Sequence, residues 1–500
     1  MKLKARLYPI ESGRPVVVLN EEDAKDLQVY VTGRVRISHE DKSLTAIVDT
    51  TETFVAEGDI AIFEDVTKIL NVCDNCELEV AEATRPHSVE FIKKKIDGYT
   101  LNEAEIRSII QDVVDNTLSN IELTAFVTGG YVKGYTMDEV VAMTKAIVET
   151  GQTIDFGNNI VDKHSIGGVA GNRTTLLVVP IIAASGLIIP KTSSRAITSP
   201  AGTADTMEVL APVEFDIDGL KAVVNKTNGC IVWGGSVNLA PADDKIIKVE
   251  YPLSLDAEGH MLASVMAKKR SVGSDYIIID IPVGKGAKVI SNERATDLAH
   301  KFIELGKRLG VLVECVITDG SAPIGYGIGP SLEARDALYA LDNKGPVDLI
   351  EKSLDIAGRL LELSGKVVPG RGRAAAEKVL KSGKAKAKML EIIEAQGGNP
   401  EVAADDIEVA ANKMTIISEH KGRVRYIDNK IISSVARIAG APRTKSAGIY
   451  LHTSVGDSVD VGDPLFTIYS ASKGRLKEAS DIAYKLQPIR IGSIISDVIR

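Results

Sequence analysis

Cysteine and histidine are scarce in this chain. Its 500 residues include four cysteines and seven histidines, and these do not repeat with the spacing of metal ligands. So few cysteines suit a reducing cytosol and exclude a disulfide-rich scaffold. Cys73 and Cys76 form an isolated pair, and a zinc or redox site would need a second pair or a nearby histidine. We therefore expect no metal site, and we interpret this pair as incidental to the end of a strand.

The chain also lacks an excess of basic charge and a long uninterrupted apolar run. Lys and Arg number 59 against 68 Asp and Glu, a net charge of −9, which argues against a non-specific nucleic-acid binder. The longest apolar run, 174–190, contains Pro180 and Gly186, whereas a membrane span needs about 20 apolar residues. It predicts a buried helix that leads into a strand. The first residues alternate charged and apolar side chains, unlike a signal peptide. We expect a cytoplasmic protein with neither nucleic acid nor membrane as a partner.

The rest of the composition is typical of a multidomain α/β protein. Hydrophobic residues make up 44% and charged residues 25%, and at roughly 150 residues per domain the length suggests about three domains. Residues 1–84 carry short β-branched runs and predict a β-rich N-terminal domain that resembles a double-psi barrel. Helical periodicity over 85–157, which returns at about 244–270, predicts an α-helical domain that is discontinuous in sequence.

The remaining segments predict two further domains. Strands and helices alternate over 158–243 and 271–422, which indicates an α/β domain with a mixed, mostly parallel sheet. Short strands return after about 422, so residues 423–500 predict a C-terminal α+β domain.

The densest chemistry begins in a loop at 162–175, between a short strand and the apolar helix. Its glycines allow backbone N–H groups to approach an anion, and a helix N-terminus adds favourable partial charge. Lys163 supplies a full charge, while Ser165 and Thr175 supply hydroxyl donors. The order of residues fits neither a P-loop nor a dinucleotide fingerprint, since the lysine precedes the glycines. Taken alone, the loop fits an anion site and a plain strand-to-helix turn equally well.

A second loop, 191–206, is rich in hydroxyl side chains and contains Arg195. Hydroxyls occupy positions 192, 193, 194, 198, 199, 203 and 206. Neutral donors with a single arginine can bind phosphate and leave it nucleophilic. A solvated Ser/Thr loop is the alternative interpretation. Two donor-rich loops that follow two successive strands favour a paired phosphate site.

Together these loops resemble those of the thymidine phosphorylase family of nucleoside phosphorylases. That family carries Lys-His-Ser-x-Gly-Gly, found here at 163–168, and later a Ser-Gly-Arg-Gly segment followed by Gly-Gly-Thr-x-Asp, found in altered form at 193–205. The resemblance covers about 85–500 and leaves the first 84 residues outside. It implies at least a homodimer that uses inorganic phosphate as a co-substrate, with no cofactor. It also implies that phosphate is bound by Lys163, Ser165, Thr175, Ser193 and Thr203.

Departures from the family pattern are concentrated in the residues that would bind the nucleobase. The stretch Tyr-Ala-Leu-Arg-Asp of the family becomes Tyr-Pro-Leu-Ser-Leu-Asp at 251–256, so the arginine that would hold a pyrimidine carbonyl is missing. Two family glycines are replaced by Ser194 and Ala196. These departures and the additional N-terminal module resemble the AMP phosphorylases of archaea, which convert AMP and phosphate into adenine and ribose 1,5-bisphosphate.

The resemblance implies a catalytic acid and a set of nucleotide contacts. Asp256 would protonate the leaving base as a general acid, which requires burial or nearby negative charge to raise its pKa; a helix cap is the alternative role. Arg195 would form a bidentate pair with the 5′-phosphate. The residues expected to bind AMP are Gly168, Ser194, Arg195, Ala196, Ile197, Thr198, Ser199, Thr203, Ser264, Lys268 and Lys288.

Three alternative functions remain open at this point. A pyrimidine nucleoside phosphorylase would use the same loops and the same chemistry. An anthranilate-type phosphoribosyltransferase would need a Mg²⁺–pyrophosphate site, and we find no acidic cluster beside the glycines. A non-catalytic assembly protein is disfavoured by the intact Lys163, Ser165 and Thr203.

Overall fold

The N-terminal residues form a closed barrel in the computed structural model, which describes residues 1–196, 199–253 and 255–492. The barrel strands follow the order β1-β5-β2-β4-β3-β6. Alternating residues such as Leu3 and Ala5 point into the barrel core, since side chains of a strand face opposite sides in turn. The elements are β1 (Lys2–Tyr8), β2 (Val16–Asn20), α1 (Glu21–Asp26), β3 (Arg34–His39), β4 (Lys42–Thr51), β5 (Asp59–Phe63), α2 (Glu64–Leu70) and β6 (Glu77–Glu82).

Cys73 and Cys76 are joined by a disulfide in the turn that leads into β6. The bond spans three positions in sequence and links no separate elements. The chain therefore contains a disulfide at this turn, where the sequence analysis assigned the pair no role.

Four helices follow the barrel. They are α3 (Ser88–Ile96), α4 (Glu103–Val114), α5 (Asn120–Lys133) and α6 (Met137–Glu149). The last three begin with capping boxes, in which an Asn, Ser or Thr and a Glu satisfy each other's backbone N–H groups. Arg34 of the barrel donates to the Thr117 carbonyl and forms an ion pair with Glu122 of α5, so the barrel is tied to the helices.

Strands and helices alternate beyond the fourth of these helices. The next elements are β7 (Val161–Ser165), α7 (Thr175–Ala184), β8 (Ile189–Ser193), α8 (Thr203–Met207), α9 (Ile217–Thr227), β9 (Gly229–Trp233), α10 (Pro241–Leu253) and α11 (Glu258–Ser271). Residues 175–183 of α7 are all buried, and β8 follows it, which confirms the buried helix and strand predicted for the apolar run. β8 pairs in parallel with β9.

A second sheet has the order β11-β10-β7 and is parallel throughout. The elements of this segment are β10 (Tyr276–Val283), α12 (Asn292–Leu309), β11 (Leu312–Asp319), β12 (Gly327–Ile328), α13 (Pro330–Leu341), α14 (Val347–Leu363), α15 (Gly372–Lys381) and α16 (Lys384–Ala395). The prediction of a mixed sheet is wrong for the described strands of this region. The short β12 joins a strand of the C-terminal module in antiparallel fashion instead of extending the parallel sheet.

The C-terminal module packs two helices on two small antiparallel sheets, β12-β15-β17-β13 and β16-β14-β18. After a 3₁₀ turn at Ala404–Asp406, its elements are β13 (Asn412–Ile417), β14 (Gly422–Ile427), α17 (Asn429–Ala439), β15 (Gly448–Leu451), β16 (Ser458–Val459), β17 (Pro464–Ser470), α18 (Lys473–Leu486) and β18 (Ile489–Gly492).

The chain divides into two compact units. The first contains Met1–Gly151 and Ala240–Ser264, so it holds both the barrel and the helices. The second contains Gln152–Leu239 and the residues from Val265 onward. The predicted limits of the individual domains stay predictions. Within the described residues, no helix combines the length and the apolar character that crossing a membrane requires.

Candidate active site

The first donor-rich loop connects β7 to α7 in the second unit. Gly167 and Gly168 both have φ of +88°, a conformation that residues with a Cβ rarely adopt. A Cβ on Gly168 would collide with the backbone nitrogen of Lys288. The structure therefore brings together Gly168 and Lys288, two positions that the sequence analysis assigned to nucleotide binding.

Lys163 and Ser165 lie on β7 at the start of this loop. Lys163 is buried, and its Nζ donates to Thr174 Oγ1 at 2.7 Å. The pKa of Lys163 is lowered to about 8, mainly by burial; the charge of Asp280 opposes this shift, while the charges of Lys352 and Arg173 add to it. The Ser165 hydroxyl donates to Asp280 Oδ2 at 2.8 Å. Both predicted phosphate ligands thus belong to one buried polar cluster.

Asp280 is the centre of this cluster, and the sequence analysis missed it. It lies fully buried on β10, in register with Ser165 of β7. Thr318 of β11 donates to its Oδ1 at 2.5 Å, and Lys352 Nζ of α14 lies 3.0 Å from its Oδ2. Burial alone would raise the pKa of Asp280, but the charges of Lys352 and Lys163 outweigh burial and lower it. Asp280 is therefore ionised and holds the cations around it.

The second donor-rich loop connects β8 to α8 and folds back on itself. The backbone N–H groups of Ala196 and Gly202 both donate to Asp205 Oδ2, at 2.6 and 2.8 Å. A Cβ on Gly202 would collide with the carbonyl oxygen of Ser194. Thr203 begins α8 directly after this turn. The predicted positions Ser194, Ala196 and Thr203 therefore share one compact turn that a carboxylate fastens.

The other predicted residues of this loop have local partners. The Ser193 hydroxyl donates to the Val232 carbonyl at 3.1 Å, and the Ser199 hydroxyl donates to the Ala201 carbonyl at 2.9 Å. Thr175 is buried as the first residue of α7. Ile197 and Thr198, which were expected to bind AMP, lie outside the described residues.

Arg195 is surrounded by carboxylates. Its guanidinium donates to both oxygens of Glu208, at 2.8 and 2.7 Å, and to Glu214 at 2.7 Å, and it lies 5.0 Å above the Trp233 ring. The hydrogen bond from Arg195 lowers the pKa of Glu208 to about 2. Recognition of a 5′-phosphate by Arg195 stays a prediction, and it now requires that the guanidinium exchange carboxylate partners for the phosphate.

Arg173 joins the two loops. The guanidinium of Arg173 belongs to the first loop and donates to the carbonyl oxygen of Ala201 in the second, as well as to its neighbour Asn172. It also forms an ion pair with Glu333 of α13, and Glu333 accepts a further hydrogen bond from Thr206 of α8 at 3.0 Å. The two loops therefore converge, as a paired phosphate site requires, and the residue that joins them was not predicted.

The predicted acid Asp256 lies in the first unit, in the turn between α10 and α11. The Asp256 side chain is exposed. It therefore lacks the burial that was one of the two environments expected for a general acid. Glu250 and His260 bracket this turn, with Glu250 Oε1 3.0 Å from His260 Nδ1. His260 Nε2 lies 2.9 Å from the Tyr135 hydroxyl, which fixes the imidazole from its other side.

The predicted base-side residues Ser264 and Lys268 both lie on α11. Ser264 belongs to the first unit and Lys268 to the second, and both side chains are half-buried. Ser254 lies outside the described residues. Over the part of the chain that the structure describes, no three His, Cys, Asp or Glu side chains are grouped so that they could hold a metal ion.

Three family descriptions match successive parts of the chain. "Glycosyl transferase family, helical bundle domain" matches residues 89–151, and "Glycosyl transferase family, a/b domain" matches residues 157–386. "Pyrimidine nucleoside phosphorylase C-terminal domain" matches residues 423–490. A helical bundle, an α/β domain and a C-terminal domain thus follow the N-terminal barrel.

A solved structure shares this fold. Anthranilate phosphoribosyltransferase from Thermus thermophilus superposes with a TM-score of 0.53 and covers 61% of this chain and 98% of its own. The two sequences are 20% identical. At that identity the likeness is one of fold alone.

Curated relatives are similar over nearly the whole length. The chain is 48% identical to AMP phosphorylase of Thermococcus kodakarensis, over 99% of each chain. It is 47% identical to AMP phosphorylase 1 of Archaeoglobus fulgidus, over 100% of this chain and 99% of the relative. It is 48% identical to AMP phosphorylase of Methanocaldococcus jannaschii, over 99% of this chain and 98% of the relative. The chain therefore belongs to the thymidine phosphorylase family, to which its two loops pointed.

Proposed function

We propose that this protein is an AMP phosphorylase, an enzyme that exchanges the base of a nucleoside 5′-monophosphate for inorganic phosphate. AMP and phosphate would give adenine and ribose 1,5-bisphosphate, in a reversible pentosyl transfer. The observation that carries the proposal is the junction of the two donor-rich loops through Arg173. Full-length similarity to AMP phosphorylases supports the choice of AMP over a pyrimidine nucleoside.

Phosphate would bind between the loops and attack C1′ of the ribose. A phosphate oxygen forms a bond to C1′ while the bond from C1′ to the base nitrogen breaks, and the anomeric carbon inverts. Lys163 and Ser165 of the first loop and Ser193 and Thr203 of the second are the proposed phosphate ligands. Positioning of the two reactants at near-attack distance supplies much of the rate, since effective molarities reach about 10⁵ M or more.

The leaving adenine needs a proton, and Asp256 is the proposed donor. General acids of this kind contribute about 10²–10⁴-fold to a rate. Its place in the stretch that departs from the family pattern supports this assignment, and the Glu250–His260 hydrogen bond ties together the two helices that flank it. Ser264 and Lys268 are the proposed contacts of the base side.

The 5′-phosphate of AMP requires donors of its own. We place them at Ser194, Arg195 and Ser199 of the second loop and at Lys288, which lies against Gly168. The Arg195 guanidinium is held by Glu208 and Glu214, so its binding to the 5′-phosphate would require it to exchange these partners for the phosphate. The adenine, the ribose and both phosphates are the proposed ligands; no cofactor is required for the chemistry.

Product analysis tests the proposal. The purified full-length protein is incubated with inorganic phosphate and, in parallel, with AMP, CMP, UMP, thymidine or uridine. Free adenine together with a bisphosphorylated pentose is the expected result. Release of thymine or uracil from the nucleosides, with no reaction of AMP, would make the protein a pyrimidine nucleoside phosphorylase. Omission of phosphate is the control and should abolish release of the base.

We also propose a cytoplasmic enzyme that assembles at least as a homodimer. Similarity to the thymidine phosphorylase family supports the assembly, because the family resemblance implies it. Light scattering on the full-length protein tests it, and a monomeric mass at micromolar concentration would contradict it.

A further inference from the structure

Lys352 is a buried ammonium group whose ion pair, among the residues that the structure describes, is with Asp280. It lies on α14 with its side chain only 10% exposed, and among the described residues its Nζ finds no hydrogen-bond acceptor in suitable geometry. Its ionic contact is with Asp280 Oδ2, at 3.0 Å. An ammonium carries three donors, and unmade hydrogen bonds of buried donors are uncommon in native structures. The orphaned donors of Lys352 therefore call for a missing acceptor.

The charges around Lys352 leave a positive excess. Asp280 faces two ammonium groups, those of Lys352 and Lys163, and both lower its pKa. The buried acid on β7, Asp162, is already shared by two other lysines, with Lys269 Nζ at 2.7 Å and Lys191 Nζ at 3.6 Å. The nearby Arg173 does not add to the positive excess, because its charge is neutralised by Glu333. One carboxylate, that of Asp280, neutralises only one of the two ammonium groups, and buried charge that is not neutralised is costly, so an anion is the acceptor that fits this cluster.

The position of the cluster identifies the anion. Ser165, a proposed ligand of the attacking phosphate, donates to Asp280 Oδ2, the same oxygen that Lys352 approaches. Lys163, a second proposed ligand, is close enough to Lys352 for their repulsion to contribute to the lowered pKa of Lys163. Lys352 is thus a neighbour of the phosphate ligands of the first loop.

We infer that Lys352 is a further binding residue for inorganic phosphate, whose ammonium donates to the orthophosphate beside Lys163 while Asp280 orients it. The inference rests on the proposed function, because this phosphate is the nucleophile of that reaction. Phosphate offers acceptor oxygens to the orphaned donors, and its charge offsets the positive excess. Charge-assisted hydrogen bonds of this type are among the strong ones in proteins.

Substitution of Lys352 by methionine tests the inference, with inorganic phosphate as the probe. The dissociation constant of phosphate for the full-length K352M protein, measured by titration calorimetry, should rise by about tenfold or more. K352R keeps the charge and should stay within about threefold of the unmodified protein. K378M removes an exposed lysine of α15 and is the matched control, with unchanged affinity. Unchanged phosphate affinity in a folded K352M protein would overturn the inference.

A second measurement separates the two phosphates of the reaction. The KM for inorganic phosphate should rise in K352M, while the KM for AMP stays within about threefold. A rise in the KM for AMP with unchanged affinity for inorganic phosphate would indicate that Lys352 binds the 5′-phosphate, and it would refute our assignment. Because phosphate binding is measured directly, absence of AMP turnover in the unmodified protein would refute the proposed function without affecting this test.

A double variant guards against loss of the fold. K352M leaves Asp280 with one buried cation fewer, which can destabilise the protein. K352M/D280N removes both charges of the Lys352–Asp280 pair, and the one amide oxygen left at position 280 keeps an acceptor for either Ser165 or Thr318. It should melt at a temperature close to that of the unmodified protein and still bind phosphate at least about tenfold more weakly. Normal phosphate binding by the double variant would equally overturn the inference.

Discussion

The Arg173–Glu333 ion pair offers the sharpest test of how the active site is held together. The side chain of Arg173 is 11% exposed and that of Glu333 is not exposed at all. Removal of one partner from a buried pair costs about 3–5 kcal/mol, because the other charge is left uncompensated. We therefore expect Arg173→Met to lower the free energy of unfolding by this amount and the thermal midpoint by several degrees.

The same substitution should also disturb the reaction. Arg173 holds the second loop through the Ala201 carbonyl, so its loss lets the phosphate ligands of the two loops move apart. A displacement of about 1 Å can cost about 10²-fold in rate. We expect kcat/KM for AMP phosphorolysis to fall by that order, measured by release of adenine. Arg359→Met, which breaks an exposed pair with Glu314 on the surface, is the control and should cost at most about 1 kcal/mol.

A double variant separates stability from positioning. Arg173→Met with Glu333→Gln removes both charges, and replacement of a whole buried pair is often neutral. The one amide oxygen left at position 333 keeps an acceptor for either Thr206 or the Gly329 N–H, so we expect most of the lost free energy of unfolding to return. Activity should stay low, because the link to Ala201 is still missing. Recovery of both stability and activity in this variant would refute the idea that Arg173 positions the loops.

Three further predictions follow from the site. Asp256→Asn should lower kcat at least about tenfold and leave AMP affinity largely intact, and near-normal turnover would remove the assignment as acid. Arg195→Ala should raise the KM for AMP far more than that for adenosine; equal losses would mean that Arg195 only supports its loop. Since the pKa of Lys163 is lowered to about 8, its ammonium is lost as the pH rises through that value. Phosphate should therefore bind up to about tenfold more weakly per pH unit above 8, and Lys163→Arg should flatten this dependence in calorimetric titrations from pH 6 to 10.

Local features of the site could be predicted from the sequence, because the residues that form them are close together in the chain. Lys163, Ser165 and the glycines lie within a few residues of each other at the end of a strand, and together with the second donor-rich loop they favour a phosphate site. The turn at 194–203 is equally local. The apolar run at 174–190 was read correctly as a buried helix and strand for the same reason.

Partners that are distant in sequence could not be predicted. Asp280 and Lys352 reach Ser165 and Lys163 only through the pairing of β7 with β10 and the packing of α14. A lone aspartate between isoleucines 279 and 281 was a signal for Asp280, since an acid in an apolar strand needs buried partners. Lys352 lies on an ordinary amphipathic helix and gave no such signal. For Arg195, the residue type suggested an anion but could not show that Glu208 already occupies it.

The attachment of the barrel to the helices limits how the protein can be shortened. Glu122 is the capping residue of α5 and also the partner of Arg34, which is buried at the barrel surface. A truncated protein that starts after residue 84 would keep this carboxylate and Arg85, whose Nε lies 3.7 Å from it, and would lose the buried guanidinium of Arg34. Assays that remove the barrel would then report on a changed environment at the start of α5 as well as on the missing module. A truncation that also carries Glu122→Gln retains the cap and isolates what the barrel itself contributes.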